Sequence, residues 1–401
     1  MHDHMALVFA LTLIFSYGLF SKLSDRSMVT GPMVFLATGL LVSPLGLGLF
    51  ELHPNSELLK LAAELTLVII LFVDASILDI KALKSARPRI AQRLLIVGLP
   101  LTMFLGAITA YVLFPELNIW MILLIAFILS PTDAALGQAV IKNERVPISI
   151  RQAISTESGL NDGIALPPIL YCIAALSVTT STHEGDWLTF MFLQLSLGPV
   201  VGAIVGYVGG RLVDYAAERD WMHETFQRLS CISLAVISFA GAESVEGNGF
   251  IAAFFAGLFL GAKNHAVRER IQEFGEAEGM QLSLLIFLLL GMIMVPRVLP
   301  FLTWIDLLYA VLSLTFVRMV PVAISMIGAG LHRNTILFTG WFGPRGIASV
   351  LYVMIVVTSL GFAGYERMLG VITLTIVLSI FAHGMSAVPL TNIYARLMEK
   401  N

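Results

Sequence analysis

The chain has 401 residues, 57% of them hydrophobic and 13% charged, with a formal net charge of −3. A soluble domain carries about 25% charged residues, so this composition excludes a soluble enzyme or nucleic-acid-binding module and points to an integral membrane protein. The net charge names no partner, and Cys172 and Cys231 both lie in apolar runs, which offers neither a structural disulfide nor metal-ligand spacing.

The N-terminus, Met1-His2-Asp3-His4, lacks a basic region, and the apolar run behind it is long enough to span. A first membrane helix is therefore expected there in place of a cleaved signal. Apolar runs of about 17 residues or more give thirteen segments: 5–22, 28–50, 56–78, 92–114, 117–141, 148–178, 187–210, 226–245, 248–262, 278–299, 303–331, 334–360 and 366–395. The expected fold is an all-α polytopic membrane protein with 13 transmembrane helices in a single transport domain, followed by a short tail at 396–401.

Loops after odd-numbered segments, with the tail, hold nineteen basic residues, among them Arg26, Lys81, Lys84, Arg87, Arg89, Lys142 and Lys400. Loops after even-numbered segments hold two, Arg297 and Arg367. Basic residues concentrate on the cytoplasmic side, which predicts an external N-terminus and a cytoplasmic tail.

Segment 2 contains "GPMVFLATGL" from Gly31 and segment 9 contains "GFIAAFFAGL" from Gly249, an offset of 218 residues. Segment 5 is interrupted by Ser130-Pro131 and segment 12 by Gly343-Pro344, an offset of 213. These pairings predict two inverted six-helix repeats, segments 1–6 (5–178) and 8–13 (226–395), joined by segment 7 (187–210). Broken helices in matching positions of an inverted repeat point to a transporter's binding site. Segment 7 has Gly198, Gly202, Gly206 and Gly210 on one face, a seam for close helix packing.

Polar residues at membrane depth are costly and so are functional candidates. Segment 5 carries Thr132 and Asp133 beside Pro131; segment 6 carries Glu157, Ser158, Asn161 and Asp162 in "STESGLNDG"; segments 11 and 12 carry Arg318 and Arg345. Ser158 and Asp162 share one helical face and can offer a hydroxyl and a carboxylate to a cation. Glu157 and Asn161 share the neighbouring face, which suits an ion pair and an amide hydrogen bond. Pro131 frees the carbonyl of Phe127, and Asp133 is expected at the start of the second half-helix of segment 5, where the helix dipole favours negative charge. Arg345 is expected to offset the carbonyl ends of segment 12. An oxygen-rich pocket of this kind suits a hard cation such as sodium, and one buried carboxylate can hold a proton or a cation in turn.

Of the remaining polar residues, Asp74, Glu243 and Glu246 read as solvated helix ends, and His383, in "FAHGMS", as a hydrogen-bonded packing residue.

"SPTDAA", "ESGLNDG", the segment 11 arginine and "GPRG", in that order, resemble the NhaP-type sodium/proton antiporters of the monovalent cation/proton antiporter-1 family. The resemblance covers the whole chain in segment count and order. It implies exchange of sodium or lithium for a proton by alternating access, in a bacterial-type plasma membrane, with a role in pH homeostasis. It implies that Asp162 binds the cation and proton, with Asp133, Ser158 and the Thr132 carbonyl completing the shell. Glu157 would pair with Arg318, Asn161 would steady the turn at Thr132, and the protein would be a homodimer. The Asn161-Asp162 pair resembles the electroneutral branch, one cation per proton. Many members continue into a large cytosolic tail where this chain stops. Neither a cofactor nor enzymatic chemistry is expected.

A potassium/proton antiporter or a cation channel of the same architecture would share most of these features. An intramembrane aspartyl protease would need a "YD" and "GxGD" pattern, which neither Asp133 nor Asp162 meets.

Overall fold

The computed structural model describes residues 2–24, 27–50, 57–77, 90–133, 136–141, 143–180 and 187–399. The basic residues Arg26, Lys81, Lys84, Arg87, Arg89, Lys142 and Lys400 lie outside the described residues. Among the described residues there are helices and connecting turns but no strand.

In chain order the helices are α1 His2–Ser24, α2 Gly31–Val42, α3 Glu57–Ile77, α4 Ile90–Leu113, α5 Ile119–Ile128, α6 Gln138–Ile141, α7 Ile148–Thr180 and α8 Trp187–Glu218. They continue with α9 Glu224–Glu243, α10 Gly249–Leu258, α11 His265–Phe301, α12 Trp304–Ser325, α13 Arg333–Trp341, α14 Ile347–Leu360 and α15 Glu366–Glu399. Eight described helices are long and apolar enough to cross a membrane, and α2, α5, α10 and α14 are shorter apolar helices.

Several bounds differ from the predicted ones. Segment 10 is expected from 278, but α11 starts at His265. Apolar counting detects the stretch at membrane depth, whereas the helix continues through the polar run "HAVRERIQEFGEAEG". Segment 2 is expected to reach 50, yet α2 stops at Val42. There the Ser43 hydroxyl donates to the Leu40 carbonyl (2.7 Å) and the chain turns. Segment 7 is expected to end at 210, but α8 runs on to Glu218.

Two compact units divide the chain, one of Met1–Lys60, Ile80–Asn161 and Ser283–Asn401, the other of Leu61–Asp79 and Asp162–Leu282. In the second unit α8 packs closely on α10. A Cβ at Gly202 would overlap the carbonyl of Ala252, and one at Gly206 the carbonyl of Ala256. The Gly261 N–H beyond α10 donates to the Gly206 carbonyl (3.1 Å). In the first unit α2 and α11 cross on another pair of glycines: Gly39 faces the Leu288 carbonyl and Gly291 the Leu36 carbonyl. Gly291 lies in a π-helical turn, Leu290–Met294.

Candidate functional site

Segment 5 is broken where the sequence places its proline. Helix α5 begins on Asn118, whose side-chain oxygen accepts the Trp120 N–H (2.9 Å), and ends at Ile128. The chain then leaves helical geometry through Asp133. The break is wider than a single freed carbonyl at Phe127, which still accepts a long 3.4 Å bond from the Ser130 N–H. Helix ends leave their last carbonyls without intrahelical donors, and here those of Ile128, Ser130 and Pro131 need partners.

The partners come from segment 12, the other broken segment. Ser349 donates to the Ile128 carbonyl (2.7 Å), and Arg345 Nη1 donates to the carbonyls of Ser130 (3.0 Å) and Pro131 (3.3 Å). Arg345 is expected to serve the carbonyl ends of its own segment; in the structure it serves those of segment 5. A planar guanidinium with diverging N–H groups can bridge adjacent carbonyls in this way.

Segment 5 returns the contact. The Asp133 N–H donates to the Pro344 carbonyl (2.8 Å), and Asp133 Oδ2 accepts the N–H of Ile347 (2.8 Å), the first residue of α14. The carboxylate thus caps a 14-residue helix of the opposite segment. This corrects the expectation that Asp133 sits on the dipole of its own second half-helix, because the nearest helix downstream, α6, is four residues long. A carboxylate at a helix N-terminus gains about 0.3–1 kcal/mol when exposed and up to ~2 kcal/mol when partly buried.

Both glycines of "GPRG" provide clearance for a charge. A Cβ at Gly346 would overlap the Asp133 carboxylate, and one at Gly343 would overlap Nε of Arg318.

Helix α7 brings the remaining polar groups. Arg318 on α12 makes a two-pronged pair with Glu157, Nη1 to Oε1 at 2.6 Å and Nη2 to Oε2 at 2.9 Å, with both residues 1% exposed. Ser158 Oγ lies 3.1 Å from Thr132 Oγ1, and the Asn161 amide donates to that same hydroxyl (2.8 Å). Thr132 therefore engages α7 through its side chain. Asp162 is buried, 5% exposed, and belongs to the second compact unit. It follows Ser158 by four residues on one unbroken helix. Asp133 is 7% exposed.

Among the residues outside this set, Asp74 on α3 is half-buried, while Glu243 and Glu246 are exposed. Glu243 nonetheless accepts the Gly249 N–H at the start of α10 (2.8 Å). Ser349 and Ser379 are absent from the sequence-based candidates although both bond to the breaks. Their available signal is a hydroxyl on a helix facing a proline-broken segment, which is visible only once the packing is known.

The Thr132 and Ser158 hydroxyls lie together (3.1 Å), and hydroxyl and carboxylate oxygens are hard donors of the kind that suit an alkali cation. Among the described residues no three His, Cys, Asp or Glu side chains gather as a transition-metal site.

The sequence profile of the family described as "Sodium/hydrogen exchanger, transmembrane" matches residues 8–393. The K(+)/H(+) antiporter NhaP of Alkalimonas amylolytica is 27% identical over 331 residues, covering 80% of this chain and 55% of the relative. The Na(+)/H(+) antiporter of Schizosaccharomyces pombe is 28% identical over 267 residues, covering 60% of this chain and 54% of the relative. The chain thus spans about half the length of these curated relatives. The solved structure of the sodium proton antiporter MjNhaP1 from Methanocaldococcus jannaschii superposes with a TM-score of 0.79 at 19% identity, covering 98% of this chain and 100% of that one. At that identity the match establishes a shared fold.

Proposed function

The chain belongs to the sodium/hydrogen exchanger family, and from that premise we propose that it exchanges sodium or lithium for a proton by alternating access. The observation that carries this reading is the mutual capping of two broken helices around Asp133 and Arg345. Irregular backbone at membrane depth persists where it is buried or lines a cavity, and paired broken helices are how transporters expose carbonyls and helix ends to an ion.

In this reading Asp162 takes the cation or the proton, and Asp133, Ser158 and Thr132 supply further oxygens. The two occupants exclude one another because the carboxylate charge that attracts the cation is removed by the proton. Glu157 and Arg318 form the structural pair beside the site, Asn161 holds the Thr132 turn, and Arg345 compensates the carbonyl ends. The architecture we propose is thirteen spans in two inverted six-helix repeats, N-terminus outside and C-terminus inside, acting as a homodimer. The loop charge asymmetry and the matched positions of Pro131 and Pro344 support it.

A second reading, potassium/proton exchange, has support from relatives named K(+)/H(+) antiporters. The test is a matrix of cation against pH on purified protein in liposomes. Proton movement driven by a sodium or lithium gradient is expected, a potassium preference would favour the second reading, and no cation-driven proton flux would refute both.

A further inference from the structure

We propose that Ser379 and His383 of α15 are positioning residues for the cation site, an inference that rests on the antiporter reading. The stretch between Trp341 and Ile347 leaves helical geometry and so exposes a carbonyl on one side and an N–H on the other. At membrane depth each such group needs a partner inside the protein. Ser379 and His383 stand four residues apart on one face of α15 and meet both. Ser379 Oγ accepts the Arg345 N–H (2.6 Å), and His383 Nε2 lies 2.9 Å from the Trp341 carbonyl.

A carbonyl can only accept, and His383 sets a ring nitrogen against two of them, Nε2 against that of Trp341 (2.9 Å) and Nδ1 against that of Ser379 (3.0 Å). Nδ1 also faces Ser379 Oγ at 3.1 Å. His383 thus bridges the Trp341 carbonyl and Ser379, whose Oγ receives the Arg345 N–H, so one chain of contacts runs from one side of the break to the other. The His383 ring also lies over the Trp341 ring, centroids 4.9 Å apart, and Trp341 Nε1 donates to Ser386 on the same α15 (2.9 Å). His383 is 1% exposed.

The consequence lies one residue further on. The backbone of Arg345 is fixed by Ser379, and its side chain reaches the Ser130 and Pro131 carbonyls. The neighbouring Pro344 carbonyl and Ile347 N–H hold Asp133. A shift of this stretch moves the site oxygens of segment 5 with it. Ser379 and His383 touch no proposed cation ligand themselves; they act through Arg345 and its neighbours.

The experiment compares the wild-type chain with Ser379→Ala, His383→Ala and His383→Gln in liposomes and by amide hydrogen exchange. Loss of an outer partner weakens a metal site by about tenfold or more, so Ser379→Ala and His383→Ala should raise the half-saturating sodium concentration about that much, with a smaller fall in maximal rate. His383→Gln, whose amide can still donate to the Trp341 carbonyl, should recover most of it. Amide exchange at Arg345 and Ile347 should accelerate in Ser379→Ala, a near-isosteric change, and stay slow in His383→Gln. Altered yield or melting with unchanged half-saturation and unchanged protection would reduce the pair to packing and overturn the proposal. A shifted pH profile with unchanged half-saturation and protection would make His383 a proton sensor and overturn it as well. If wild type moves no protons in response to sodium, the antiporter reading fails, and protection at Arg345 and Ile347 still decides the positioning role.

Discussion

A carboxylate buried away from water needs donors whose positions do not relax, and Asp133 finds one in the backbone of Ile347. That contact exists because residue 346 has no Cβ. Gly346→Ala should push the carboxylate off the α14 N-terminus, and misplacement near 1 Å can cost a site about a hundredfold. The expected outcome is a rise of roughly tenfold or more in half-saturating sodium, measured as sodium-dependent proton flux; an unchanged value would show that the Asp133 contact is dispensable. Glu157 and Arg318 follow a different logic. Their pair is fully buried, so removing either partner strands a charge at a cost of about 3–5 kcal/mol, whereas removing both relieves that penalty. Glu157→Ala and Arg318→Ala should each lower the melting temperature in detergent more than the double variant does. Additive shifts would contradict the coupling.

At the scale of elements, backbone chemistry makes the two breaks legible in the sequence. Pro131 and Pro344 cannot continue a helix, and buried opposite charges such as Glu157 and Arg318 must find each other. What spacing rules do not convey is which segment satisfies which. Periodicity relates residues three or four apart on one helix, so it assigns Asp133 and Arg345 to their own segments, whereas the structure exchanges them between segments 5 and 12. The polar start of α11 escapes for a similar reason, since an apolar count cannot follow a helix beyond membrane depth. The glycine face of segment 7 is legible because small residues at four-residue spacing have few other uses in a membrane helix. It meets α10 at backbone carbonyls that cannot move aside, and overpacking of this kind costs about 1–3 kcal/mol. Gly202→Ala should therefore lower thermal stability by that amount, read as a melting shift in detergent; full stability would mean that α8 and α10 have slack at Ala252.

For the whole molecule, transport is described by which charges cross. Asn161 is neutral, and Glu157 is bound to Arg318, which leaves Asp162 as the carboxylate of α7 that the proposed exchange would use. If Asp133, held by α14, keeps its charge through the proposed cycle, one proton balances one cation. Movement of a net charge would add ~2.3 kcal/mol per 100 mV of membrane potential. Sodium-driven proton flux in liposomes should accordingly be the same with and without a potassium–valinomycin diffusion potential, and a rate that follows the potential would refute one-for-one exchange. The most direct test of the account is that same flux in Asp162→Asn, purified as a folded protein and compared with wild type at matched reconstitution. If Asp162 is the exchanging carboxylate, proton movement no longer responds to sodium at any pH, while the variant keeps its size-exclusion profile. Retained sodium-dependent proton flux would contradict it.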